Sequence, residues 1–283
     1  MSALLASVSS SSLHLLDRLP PFHPVALRLM RSATDDARMN EIADTIRCDA
    51  VFAGGLLRLA NSPLFPFTRE ITSILQAVVL LGLERVRSLA LTIALRRFVG
   101  GAAESVVVRV CWRHSLACAM VAEEIASAMM MPADALYTAA LVHDLGRLAL
   151  LASDPARFMR VLQAAESEPE AFCRLEREAF GFDHCAVGAA LMEEWRFPQE
   201  LCNAAGRHHA GPRSARPGLV EIVAIACRTA DALGFQVAGP APDFDPQDLF
   251  GSLPESARAR LCSDPAEMGA RVAAKINSVE ICA

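Results

Sequence analysis

The sequence predicts an all-α fold of two helical lobes. Three observations carry that reading. Apolar residues recur at helical spacing along almost the whole chain, and strand-like alternation is scarce. Ala and Leu are abundant in a composition that is 53% hydrophobic and only 21% charged, which suits helices buried on wide faces against one another.

The first lobe is expected over 13–101. After Leu19-Pro20-Pro21, apolar spacing gives helices from about Pro24 to Ala33 and from Met39 to Arg47. Asp49 is placed to cap a third helix running to Asn61, because its carboxylate can accept the orphan N–H groups of a first turn. Ser62 to Glu70 holds two prolines with Leu64, Phe65 and Phe67 between and around them, a turn with apolar anchors. Ser73 and Gln76 fit a capping box ahead of Ile74 to Leu81. A further helix covers Leu83 to Phe98, and Gly100-Gly101 ends it, which sets the lobe boundary there.

The second lobe, 102–236, has longer helices, near 105–130, 134–152, 155–179, 184–195, 198–209 and 218–233. Beyond Gly234, the Pro- and Asp-rich stretch from Gly239 to Pro246 reads as a linker. Helices near 254–262 and 264–277 complete a C-terminal segment, 237–283.

Composition narrows the function. The net charge is −5, and the 27 basic residues, all arginine except Lys275, are scattered among 32 acidic ones. No basic stripe emerges, so nucleic acid is not the expected partner. The densest apolar runs, such as Ala77 to Leu83, break within about ten residues, too few to cross a bilayer. Met1 to Ser12 has neither a basic region nor an apolar stretch, so no signal peptide is expected and a cytoplasmic location follows. Nine cysteines stand singly without a CxxC pair, and buried, reduced thiols are the expectation.

The second lobe carries polar groups on apolar faces. Val107, Val110, Cys111, His114, Ala117, Cys118, Val121 and Ile125 share one helical face. Tyr137, Ala140, Leu141, Asp144, Leu148 and Leu151 share another, with His143 beside it. Val220, Val223, Ala224, Cys227 and Asp231 share a third. A buried carboxylate without a partner costs several kcal/mol. Two carboxylates and two imidazoles converging on a metal would remove that cost together, as in metal sites inside helical bundles. This donor set suits iron, manganese or zinc without choosing among them. His184, behind the N-cap Asp183, and His208-His209, at a helix end before Gly211-Pro212, lie between these points. Any one of these residues taken alone is more often a hydrogen-bonded core residue. The joint placement of His114, His143, Asp144 and Asp231 makes them the leading candidate metal ligands, with His184, His208 and His209 as further candidates; His208 and His209 also suit a last helical turn, where histidines interact favourably with the helix dipole.

These residues carry a resemblance. Trp112-Arg113-His114-Ser115, Ala140-Leu141-Val142-His143-Asp144-Leu145-Gly146-Arg147, Asp183-His184 with Gly188 and Trp195, Pro198, His208-His209 and Ala230-Asp231 together resemble the HDOD family, the HD-related output domains. The first lobe agrees through Leu19-Pro20-Pro21, Leu56 to Ser62, Ile71 to Ile74 and Ala77 to Leu83. The resemblance implies an HD-like helical second lobe. HD-superfamily enzymes are metal-dependent phosphohydrolases with a His, His-Asp, Asp set, here His114, His143, Asp144 and Asp231. HDOD proteins are regarded instead as regulatory modules, often linked to two-component and second-messenger signalling. The Gly-Tyr-Pro element of the cyclic di-GMP hydrolases is absent: Ala210-Gly211-Pro212-Arg213 stands there, and the sole tyrosine is Tyr137. Arg147 replaces the lysine usual after the His-Asp-x-Gly step, and the two are not interchangeable. Two readings follow. One is a non-catalytic bacterial regulatory module or response-regulator output acting on a signalling protein partner, its first lobe a docking surface around Phe65 and Phe67. The other is a metal-dependent phosphodiesterase, which the intact ligand set alone favours.

Overall fold

The computed structural model describes residues 19, 21–31, 39–98, 105–209, 217–261 and 263–282. The Gly100-Gly101 boundary, Pro20 and Ala210-Gly211-Pro212-Arg213 lie outside these residues. The described residues are helical, with no strand among them, so the fold is all-α. The chain divides into two compact units, Pro21–Gly100 with Ala273–Ala283, and one centred on Gly101–Val272.

In the first unit the helices are α1 (Pro24–Arg31), α2 (Met39–Arg47), α3 (Ala50–Ala60), α4 (Ile74–Leu81) and α5 (Leu83–Phe98). Asp49 caps α3 by accepting from the Phe52 N–H at 2.8 Å, and Ser73 caps α4 by accepting from the Gln76 N–H. The return bond of that box lands one residue early, with Gln76 Oε1 accepting from the Thr72 N–H at 3.0 Å. Asn61 closes the Ser62 to Glu70 turn: its amide bonds the Ile71 C=O at 2.8 Å and the Ile71 N–H at 2.7 Å. α5 is buried on most sides, with Arg87, Ser88 and Thr92 among its buried residues. Phe52, Leu56 and Leu59 fill the core with Leu91 and Leu95 of α5.

The second unit is built on α6 (Val106–Met129), a 24-residue helix. α7 (Ala133–Val142), α8 (Leu145–Ser153), α9 (Pro155–Ala165), α10 (Phe172–Phe180), α11 (His184–Glu194), α12 (Gln199–Arg207) and α13 (Leu219–Ala230) follow. Two single helices expected from periodicity are each two. The 134–152 stretch breaks at His143-Asp144, and 155–179 breaks around the 3₁₀ turn Pro169–Ala171. α13 runs into a π turn at Asp231–Phe235, where Gly234 takes φ 88°, a backbone conformation glycine adopts without strain. A helix not expected from the sequence, α14 (Pro246–Phe250), begins at the last residue of the expected linker and precedes α15 (Glu255–Arg258) and α16 (Pro265–Cys282), whose residues from Ala273 on group with the first unit. α14 starts at Asp245, whose side chain accepts from the Gln247 N–H.

Among the described residues one stretch, Ala133–Ser153, is long and apolar enough to cross a bilayer, with a mean hydropathy of 1.2. The expectation that no run would pass that test is therefore corrected. Here 89% of the stretch is buried inside the fold, and it is broken in the middle by a histidine and a carboxylate, so its hydropathy reflects packing within the unit.

Candidate metal centre

The α7–α8 break positions the site. Asp144 has φ −99° and ψ 17°, the sparsely populated bridge region where site residues are often held. The Arg147 N–H closes back on the Asp144 C=O at 2.9 Å. α8 can start there because Gly146 lies against α11: a Cβ at Gly146 would sit 1.9 Å from the His184 carbonyl oxygen. The missing side chain lets the His184 backbone approach the turn that carries Asp144.

Asp144 is the hub and is 2% exposed. His114 Nε2 lies 3.5 Å from its Oδ2. His143 Nε2 lies 3.7 Å from Oδ1, and the Nε2 atoms of His184 and His208 each lie 3.4 Å from it. His209 joins through His184, Nε2 to Nε2 at 3.1 Å, on the exposed edge. Asp231 joins through His114, but from behind: its Oδ1 is 3.3 Å from Nδ1, the nitrogen facing away from Asp144. All seven candidate residues therefore gather in one cluster, with Asp231 behind the His114 ring.

The imidazoles are held in one sense. His143 Nδ1 donates to the Ala140 C=O at 2.6 Å, His208 Nδ1 to the Ala205 C=O at 3.0 Å and His114 Nδ1 to the Phe235 C=O at 3.0 Å. A carbonyl only accepts, so Nδ1 carries a proton in each ring and Nε2 faces inward, with its lone pair available wherever the ring is neutral. His184 does the same against Glu176, with Nδ1 2.5 Å from Oε2. Such rear bonds are the usual way histidines are fixed for metal ligation. His143 Nε2 has no hydrogen-bond partner, and Asp144 Oδ1 meets only imidazole Nε2 atoms, at 3.4 to 3.7 Å. Buried imidazole and carboxylate acceptors converging in this way suit a cation, and the donor set fits a divalent first-row ion.

A cation is already present. Arg147 Nη1 lies 2.9 Å from Asp144 Oδ2, Nη2 lies 3.3 Å from His184 Nε2, and the guanidinium stacks 4.7 Å from the Phe172 ring centre. Burial opposes ionisation of Asp144, but Arg147 and His143 hold its carboxyl well below the usual range. Burial and Arg147 push His184 well below an ordinary histidine. Burial also works against a charged His114, but Asp231 and Cys227 overcome it and hold this imidazole well above the usual value. Burial raises Glu176 to about 8, against the pull of Arg147 and the His184 N–H.

Four participants were not singled out from sequence. Sequence marks Arg147 only as a replacement for lysine and does not single out Glu176, although Glu176 repeats at four-residue spacing between Phe172 and Phe180 on the buried face of α10. For Cys118 and Cys227 the sequence leads only to the expectation of buried, reduced thiols. Their Sγ atoms lie 3.4 and 3.6 Å from His114 Nε2. The signal was their four-residue offset from His114 and Asp231 on the same faces. Beside the cluster, a cavity of about 380 Å³ is lined by His208, His209, Glu221, Arg228, Asp231 and Asp248 among others.

A helical unit with a His, His-Asp, Asp centre defines an HD-type core. The model of the HDOD domain matches residues 19–211, and the chain belongs to the HDOD family. Among solved structures, an HDOD domain protein of unknown function from Geobacter sulfurreducens matches at 25% identity and TM-score 0.73, covering 96% of each chain. A protein provisionally named a phosphohydrolase from Shewanella amazonensis matches at 21% identity and TM-score 0.70, over 97% of this chain and 99% of that one. A protein provisionally named a signal transduction protein from Marinobacter aquaeolei matches at 21% and 0.71, over 99% and 68%. At these identities the last two share the fold. An uncharacterised protein of Treponema pallidum is 24% identical over 223 residues; the match takes in 76% of this chain and 42% of that protein's length.

Proposed function

We propose that this chain is a cytoplasmic regulatory module that acts through contact with a signalling protein, and that its buried cluster holds a divalent ion without hydrolysing phosphate esters. The observation that carries the reading is the Arg147–Asp144 pair, 2.9 Å apart with both residues buried. A hydrolytic centre needs its carboxylate free for the ion and an open position for water and phosphate. Here a guanidinium backed by Phe172 covers one carboxylate oxygen. The neighbouring cavity adds to this, because its lining includes Glu221, Asp231 and Asp248 against the single arginine Arg228, a poor setting for an anionic diester. His114, His143, Asp144, His184, His208, His209 and Asp231 remain the residues that would hold or orient iron, manganese or zinc. A bound ion would supply Lewis acidity there.

The docking surface is proposed on the first unit. Phe67 is 40% exposed, and Val51, Val79 and Leu80 are exposed on the same unit. Exposed apolar side chains of this kind mark contact surfaces when they cluster. Phe65 is half-buried, with the Arg85 guanidinium over its ring.

The test is turnover. Protein purified without chelator or affinity nickel, then supplied with Fe²⁺, Mn²⁺ or Zn²⁺, is offered cyclic di-GMP and bis(p-nitrophenyl) phosphate. The expected rate equals that of protein-free controls. Turnover that disappears in Asp144→Ala would overturn the regulatory reading and install the phosphodiesterase.

A further inference from the structure

We propose that His114, Cys118, His143 and Cys227 form a four-ligand site for a thiophilic divalent ion, zinc first, so that two thiolates complete the ligand set of this chain. The inference rests on the reading that the cluster binds a metal and goes beyond it in naming the ligands and the metal class.

The geometry comes first. All four residues are buried, and their ligand atoms lie within 4.8 Å of one another. In tetrahedral zinc, with Zn–S of about 2.3 Å and Zn–N of about 2.0 Å, a nitrogen and a sulfur stand about 3.5 Å apart. His114 Nε2 is 3.4 Å from Cys118 Sγ and 3.6 Å from Cys227 Sγ. Cys118 follows His114 by one helical turn on α6, and Cys227 projects from α13, so two helices supply three of the ligands. His143, at the end of α7, supplies the fourth.

The availability of the donor atoms agrees. His143 Nε2 has no hydrogen-bond partner, and its Nδ1 is fixed by the Ala140 C=O. His114 Nδ1 is engaged by the Phe235 C=O and Asp231, which leaves Nε2 as its ligating atom. Asp231 then orients a ligand from behind, as outer carboxylates do for metal-bound histidines, and two thiols stand on the inner side of the ring.

Charge selects the same set. Asp144 is already paired with Arg147. A divalent ion held only by histidines and Asp144 would leave excess positive charge in a buried site, which is costly. Two thiolates cancel a divalent ion, so a His₂Cys₂ centre is neutral beside a neutral Arg–Asp pair. Thiolate ligands also favour zinc over manganese or magnesium.

The test uses the full chain loaded with Co²⁺ in place of Zn²⁺. An intense thiolate-to-cobalt charge-transfer band is expected in the near ultraviolet. It should lose about half its intensity in Cys118→Ser or Cys227→Ser and be unchanged in Cys48→Ser, whose thiol is exposed on another unit. Should the serine variants fail to fold, X-ray absorption at the zinc edge of the wild-type protein decides alone. Two sulfur scatterers at about 2.3 Å are expected. A nitrogen- and oxygen-only shell, a cobalt band insensitive to both substitutions, or failure to bind zinc or cobalt would overturn this proposal. The first two outcomes would leave a metal-binding regulatory module standing, whereas turnover in the phosphodiester assay would sink that reading independently of the ligands found here.

Discussion

In the first unit a single carboxylate links a helix cap to a charge cluster. Asp49 accepts from the Phe52 N–H while its other oxygen faces His23 Nε2 at 3.2 Å and Arg97 Nη1 at 3.5 Å. The Phe52 N–H is the chief cause of its lowered pKa, opposed by slight burial and helped by Arg97. A carboxylate whose folded pKa is depressed adds stability above its unfolded value, and that stability is lost as pH falls through the folded value. Asp49→Ala is therefore expected to cost about 1 kcal/mol at neutral pH, the typical worth of such a cap. The deficit against wild type should shrink as pH drops below the ordinary carboxylate value of about 4. Urea unfolding of both proteins across that range measures it; a deficit constant with pH would mean the carboxylate contributes only packing. This cap was legible in sequence, because Asp before an apolar helical run has a local role. The partners His23 and Arg97 were not, since 26 and 48 residues separate them from Asp49.

Among the helices, glycines separate local from tertiary demands. Gly54 lies inside α3, and a Cβ there would meet only the end of the Arg58 side chain at 3.7 Å. Gly54→Ala should raise stability by about 1 kcal/mol, through helix propensity alone. Gly146 lies in the first turn of α8, where a Cβ would meet the His184 carbonyl oxygen at 1.9 Å and the Gly188 nitrogen at 2.6 Å. Both are backbone atoms that cannot rotate away, so Gly146→Ala should cost about 3 kcal/mol or more and push α11 from the cluster. Chemical denaturation of the two variants reads both signs in one experiment, and a mild Gly146→Ala would show that the α8–α11 approach tolerates displacement. The two glycines look alike in a helical pattern. Only the neighbour across space distinguishes them, and for the same reason periodicity ran through the break at His143-Asp144.

For the whole molecule, the proposed division of labour sets a contact surface on one unit and a buried polar centre on the other. Phe67→Ser should reduce capture of a signalling partner from lysate without lowering the thermal midpoint, because the ring is already exposed. Phe65→Ser should lower the midpoint, because it strips the contact with Arg85. Equal partner recovery from wild type and Phe67→Ser would remove this loop from the docking surface and leave the exposed helical positions Val51, Val79 and Leu80.

By itself the sequence determined the all-α class, the family and the identity of the seven clustered residues, because helical periodicity, capping and short His-Asp patterns act over one or two turns. Tertiary structure alone decided how those residues are used. Arg147, one turn from Asp144, is held against it in a buried setting by the Phe172 ring, Glu176 reaches His184 because α10 packs beside α11, and Cys227 reaches His114 across 113 residues. Burial then fixes their chemistry, since removing water makes each carboxylate, imidazole and thiol depend on the few charged neighbours it meets, and those neighbours are set by helix packing.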